Sequence, residues 1–166
     1  MSIELRNLIP SDKDLIFAWI SNPELRRMTG TRGTPNIDTH EIWFKNKIND
    51  TENLIKVILS DNKPVGIIGT NKMDRANNNA DIYLYIGEDS DRGKGIGSSA
   101  LKSFIDVLFS EYECHKITAT VYSYNKQSIA LFKKVGFKIE GRLVDQVIRD
   151  GIYCDQVLFG YINPND

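Results

Sequence analysis

The sequence predicts an α/β (α+β) fold of about seven strands and four helices, in the order β-α-α-β-β-β-α-β-α-β-β. Three observations carry this. Short β-rich runs alternate with segments whose apolar residues recur every three to four positions. A glycine-rich run, Asp91-Arg92-Gly93-Lys94-Gly95-Ile96-Gly97-Ser98-Ser99-Ala100, stands between a strand-like segment and a helix-like one. Arg149-Asp150-Gly151 divides two long β-rich runs near the end and reads as a hairpin turn.

Residues 3–8 form the first expected strand. Ser11 to Asp14 resembles a capping box, and Leu15, Ile16 and Trp19 then give a helical stripe. Asn22-Pro23 is expected to break that helix, and residues 28–36, with Gly30, Gly33 and Pro35, to form a loop. A second helix is expected from Asp38, with Ile42, Trp43 and Ile48 as its apolar positions. Residues 54–59 and 65–71 read as strands joined by the turn Asp61-Asn62-Lys63-Pro64. After a turn at 75–79, residues 80–87 read as another strand. A helix over 101–109, a strand at 117–122 and a helix from Asn125 to Gly136 follow, then strands at 139–148 and 153–162.

The chain of 166 residues is one domain's worth, expected to span 1–166. At 41% hydrophobic and 26% charged it can bury a real core. A formal net charge of −1 provides no global field for nucleic acid or an anionic membrane. No apolar run approaches the roughly 20 residues needed to cross a bilayer. The N-terminal residues lack a signal-peptide core, so the expected location is cytoplasmic. Cys114 and Cys154 are neither a CxxC pair nor in zinc-site spacing with histidine, so neither a disulfide nor a metal is expected.

Glycines ahead of a helix expose consecutive backbone N–H groups where the helix dipole is positive, which makes an anion site. Arg92 and Lys94 add two cations. The loop is not a Walker A motif, because Gly95 rather than Ser or Thr follows Lys94. It is not a dinucleotide fingerprint either, because Ser98 stands where the third glycine would be. Arg92, Gly95 and Gly97 instead form Arg-x-x-Gly-x-Gly, which resembles the pyrophosphate loop of the GNAT acetyltransferases. A second segment, Asn125 to Phe137, resembles the GNAT helix in which an Asn and a Ser flank the cofactor arm and which ends at Gly-Phe.

The resemblance implies a mixed, mostly antiparallel central sheet and acetyl-CoA as cofactor. It implies that residues 92–98 (Arg92, Gly93, Lys94, Gly95, Ile96, Gly97 and Ser98) hold the pyrophosphate, with Asn125, Ser128 and Phe132 along the arm. In the enzymes that it resembles, a bulged strand ahead of the glycine loop parts from its neighbour, and the pantetheine arm adds in the gap. Here that strand is 81–87, and the backbone of Leu84, Tyr85 and Ile86 is the candidate for binding the arm and polarising the thioester.

Acetyl transfer needs a neutral amine and stabilised charge on the carbonyl oxygen and departing sulfur. Many GNAT enzymes carry a Tyr four residues after the helix Ser as proton donor. Phe132 stands there and cannot donate, so Tyr122, Tyr124, Tyr83, Tyr85 or water are the substitutes. Asp81 and His40 are the candidate bases. The N-terminal pattern Trp19-x-x-Asn22-Pro23-Glu24-x-Arg26, followed by His40-x-x-Trp43-Phe44, resembles amino-sugar-nucleotide acetyltransferases such as those of pseudaminic acid synthesis. Ser21 departs from it, since relatives often carry Arg there. This implies an acceptor site of Trp19, Asn22, Arg26, Arg27, Arg32, Trp43 and Phe44, with rings for a sugar or base and arginines for a diphosphate. The C-terminal half, with Arg149-Asp150-Gly151-x-Tyr153-x-Asp155, resembles the ribosomal-protein N-terminal acetyltransferases. A protein α-amine is therefore the alternative acceptor and a polyamine the next. A non-catalytic acetyl-CoA-binding module and a homodimer are also compatible with the sequence.

Overall fold

In the computed structural model, which describes residues 1–166, a seven-stranded sheet lies between two helical layers. Its strands are β1 (Ile3–Asn7), β2 (Ile55–Ser60), β3 (Lys63–Asp74), β4 (Asn79–Ile86), β5 (Lys116–Tyr122), β6 (Lys138–Arg149) and β7 (Ile152–Ile162), in the spatial order β1-β2-β3-β4-β5-β7-β6. Every neighbouring pair is antiparallel except β4 and β5.

There are five helices rather than four: α1 (Asp12–Ile20), α2 (Pro23–Thr29), α3 (Ile37–Ile48), α4 (Ile96–Ser110) and α5 (Lys126–Val135). The extra one is α2. Asn22-Pro23 does end α1, but it also starts a new helix. Pro23 takes the first helical position, where no N–H is needed, and the Asn22 side chain accepts from Glu24 N at 2.9 Å. The capping box at Ser11 does not form, and its side chain makes no cap bond. Asp12 takes the anchoring role, accepting from Ile9 N at 2.8 Å and from both terminal nitrogens of Arg6. The third helix is capped by Asn36, which accepts from Thr39 N at 3.0 Å.

Alternation along β2 and β3 sorts the core into two parts. Ile58, Ile68 and Ile82 face α4 and α5, packing with Leu101, Phe104 and Phe159. Val57 and Ile67 face the other way, with Ile16, Trp19, Leu25 and Phe44. Because helices cover both faces, β3 is buried continuously from Val65 to Thr70. No helix is long and apolar enough to cross a membrane.

Two irregularities shape the middle of the sheet. The bulge expected on 81–87 lies instead on the facing strand. Thr70 pairs with Ile82 and Lys72 with Asp81, leaving Asn71 as the extra residue. Thr70 Oγ1, in turn, accepts from Leu54 N at 2.9 Å. The parallel pairing of β4 with β5 covers only Asn79, Ala80 and Asp81 against Lys116, Ile117 and Thr118. Beyond it β5 runs on with β7, and the edge of β4 from Ile82 to Ile86 has no strand beside it.

Candidate active site

The split between β4 and β5 opens into a cleft of about 1140 Å³. One end is the glycine loop. Gly93 and Gly95 have φ of +75° and +82°, left-handed values that let the chain turn directly into α4. The first-turn N–H groups of α4 have no partner within the helix, and Ile96, Gly97 and Ser98 line this end of the cleft. Arg92 donates to Ile86 O at 3.2 Å and pairs with Asp89 at 2.6 Å, while Lys94 lies 3.7 Å from Asp91. Ser98 Oγ donates back to Gly95 O at 3.0 Å, so its hydroxyl secures the turn.

The free edge of β4 continues this site. Leu84, Tyr85 and Ile86 line the cleft on one side and Asn125, Ser128 and Phe132 on the other. Asn125 caps α5 by accepting from Ser128 N at 3.1 Å. Phe132 is 3% exposed and packs 5.0 Å from Phe137 and 5.5 Å from Phe159, ring centroid to ring centroid. Backbone donors at a helix start, two cations and an unpaired strand edge fit a diphosphate that leads into an extended, amide-bearing arm.

The two candidate bases differ in their surroundings. Asp81 is outside the lining. Its oxygens accept from Thr118 Oγ1 at 2.9 Å and Asn71 Nδ2 at 3.0 Å, and so tie the bulge to the start of the split. His40 lines the cleft although it is only 3% exposed, with its ring 5.2 Å from Phe17 and 5.5 Å from Trp43. Its Nε2 is 2.7 Å from Lys13 O, and a carbonyl only accepts, so Nε2 carries the hydrogen. In the neutral ring Nδ1 is then the lone-pair atom, and it is buried without a partner.

The tyrosines also separate. Tyr122 lines the cleft at the end of β5 and stacks on Tyr124, whose hydroxyl is turned away to donate to Arg27 O at 2.6 Å. Burial pushes Tyr83 up to about 12 and raises Tyr85 as well, so both hydroxyls hold their protons tightly.

On the acceptor side the expected set breaks up. Trp19 is 2% exposed and Phe44 5%, and both belong to the core under α1–α3. Asn22 is spent as a helix cap. Arg26 is buried against the cleft wall and donates to Ile20 O, Arg32 O and Gly33 O, which staples the α2–α3 loop and leaves little for a phosphate. Arg27 stacks on Tyr124 at 4.3 Å and pairs with Asp150 outside the cleft. Only Trp43 and Arg32 line the cleft with a face or charge in hand. The acceptor-side lining that sequence reasoning missed is one cation, Lys47, and a set of neutral polar residues: Thr29, Thr31, Thr34, Asn36, Thr39 and Asn71. Nothing in their spacing marks them, because the ends of α2 and α3, the loop between them and a bulge on another strand bring them together.

Residues 2–138 match the acetyltransferase (GNAT) domain family. The chain is 31% identical, over 96% of its length and 89% of the relative's, to the SPbeta prophage-derived uncharacterized N-acetyltransferase YokL of Bacillus subtilis. Its fold superimposes on spermidine N-acetyltransferase from Vibrio cholerae in complex with CoA and spermine, with a TM-score of 0.89 at 21% identity, covering 96% of this chain and 95% of that one. It also superimposes on the ribosomal L7/L12 alpha-N-protein acetyltransferase RimL, with a TM-score of 0.86 at 17% identity over 98% and 91% of the two chains. The chain therefore belongs to the GNAT family and is an acetyl-CoA-dependent N-acetyltransferase.

Proposed function

We propose that this enzyme acetylates a primary amine on a neutral or anionic, hydroxyl-rich small molecule of the amino-sugar class. The observation that carries the reading is the charge of the acceptor half. Its charged side chains with free donors are Arg32 and Lys47, among threonines and asparagines, with the Trp43 ring as a flat face. The single carboxylate in the whole lining is Asp91, at the glycine-loop end beside Lys94. A polyamine would meet cations and no counter-charge there. Relatives that act on spermidine and on a protein α-amine share the fold, so the fold alone does not choose an acceptor. The three-arginine diphosphate clamp is reduced to Arg32, and a nucleotide handle on the sugar would rest on Arg32 and Lys47.

In this reading the glycine loop and the α4 N-terminus hold the pyrophosphate of acetyl-CoA, which supplies the activated acyl group. The free edge of β4 at Leu84–Ile86 takes the arm as a strand would and donates toward the carbonyl oxygen. Asn125 and Ser128 bound the arm on the α5 side. Tyr122 is the hydroxyl best placed to protonate the departing sulfur, and Phe132 packs.

The test is CoA release, followed by mass spectrometry, across amino sugars, their nucleotide conjugates, spermidine and peptides. Turnover is expected with amino sugars. Turnover confined to spermidine or to peptides would overturn the acceptor assignment and leave acetyl transfer intact.

A further inference from the structure

The tip of the β6–β7 hairpin reaches back across the molecule to the acceptor side. Arg149 is half-buried there. One terminal nitrogen of its guanidinium donates both to Gly30 O at 3.1 Å and to the Tyr122 hydroxyl oxygen at 3.0 Å. Its carbon lies 4.9 Å from the centre of the Tyr122 ring. Gly30 is the C-cap of α2, in the loop that forms the acceptor wall. The fit is close: a Cβ at Gly30 would fall 2.0 Å from the Tyr122 hydroxyl oxygen, so glycine is the residue that lets this contact exist. The ring is also held by Tyr124, stacked on it at 5.3 Å with planes 2° apart.

We infer that Arg149 is a positioning residue for proton transfer by Tyr122, and that it ties this donor to the acceptor loop. The inference rests on the acetyl-transfer reading above. A guanidinium cannot accept a hydrogen bond, so Arg149 fills a lone pair of the Tyr122 oxygen and leaves its O–H proton to point elsewhere. No protein acceptor takes that proton, and the side chain lines the cleft. The step balances simply. As the amine nitrogen bonds to the acyl carbon, the C–S bond breaks and its electron pair goes to sulfur. Tyr122 gives its proton to that sulfur, leaving a phenolate beside the Arg149 cation. The proton shed by the acylated nitrogen returns to the phenolate, directly or through water. Because the same guanidinium nitrogen also holds Gly30 O, a shift of the acceptor loop changes where the hydroxyl points.

The experiment compares Tyr122→Phe, Arg149→Met, Arg149→Lys and the double variant Tyr122→Phe/Arg149→Met in the full-length enzyme. Asp150→Asn serves as the control, since it loosens the hairpin tip by removing the Arg27 pair without touching Tyr122. The readouts are kcat, KM and acetyl-CoA affinity by calorimetry. Arg149→Met is expected to lower kcat at least tenfold with acetyl-CoA affinity within twofold, and Arg149→Lys to recover part of the loss. In the Tyr122→Phe background the same Arg149→Met change should cost less than twofold, the non-additivity of two groups that act as one. Asp150→Asn should keep kcat within twofold. Additive losses, a change in KM alone, or an equal loss in Asp150→Asn would overturn the inference while acetyl transfer stands. A wild-type enzyme that binds acetyl-CoA but releases no CoA with any amine would instead overturn the acetyl-transfer reading beneath it.

Discussion

Gly95 shows how much can depend on a single backbone angle. Its φ of +82° carries the chain into α4 with the first-turn N–H groups bare, and a side chain there would be strained as well as in the way. Gly95→Asp also sets a carboxylate against a bound pyrophosphate. It should weaken acetyl-CoA binding by at least ~2 kcal/mol, measured by calorimetry. Unchanged affinity would place the cofactor elsewhere. Tyr83 gives a second test, of stability rather than binding. Burial raises it from 10.0 to about 12, so the folded protein favours the neutral phenol more than the unfolded chain does. That contribution is intact below pH 10 and is lost as pH rises from about 10 through about 12. Urea midpoints should therefore fall across this range, and Tyr83→Phe should flatten part of the fall. A parallel fall in the variant would assign the alkaline loss to other groups, of which Tyr85 is the first.

The elements carry a different lesson, and α2 is the clearest case. The side chain of Asn22 starts a seven-residue helix too short to persist alone. Asn22→Ala should cost about 1 kcal/mol of stability, with Asn22→Asp close to wild type in denaturant titration. Equal losses in both variants would point to a contact other than the cap. The same residue marks the boundary of what the sequence reveals. Both strands of the β2–β3 hairpin, the glycine loop, the α5 cap at Asn125 and the Asp150-Gly151 turn were legible because each depends on neighbours in sequence. Asn22-Pro23 was legible as a break, yet a break and a cap use the same residues. Helical spacing placed Trp19 correctly on an apolar stripe, but it could not say whether that stripe faced a ligand or β3. Arg26 and Arg149 were opaque for a stronger reason. Their roles are set by carbonyls and a hydroxyl supplied by other elements. The bulge at Asn71 likewise depends on the register of β3 against β4, which no local pattern encodes.

At the scale of the whole molecule, a three-pair seam at Asn79–Asp81 joins the strands β1–β4 to the strands β5–β7, with α4 and α5 packed across it. A ligand that lies along Ile82–Ile86 fills the rest of that seam and binds only the folded state. At a hundred times its dissociation constant it adds about 2.7 kcal/mol to the unfolding free energy. For a chain of this size that is roughly 5–10 °C in Tm. Melting curves at increasing acetyl-CoA should rise accordingly, whereas free acetate should leave them in place. A flat response to acetyl-CoA would mean that the seam is closed by other means. If acetyl-CoA raises Tm in this way, the split sheet would make the enzyme's lifetime depend on metabolism. When opening is fast relative to cleavage, proteolysis follows the population of the open form. The chain's survival in a protease-rich cell would then follow the supply of its own acyl donor.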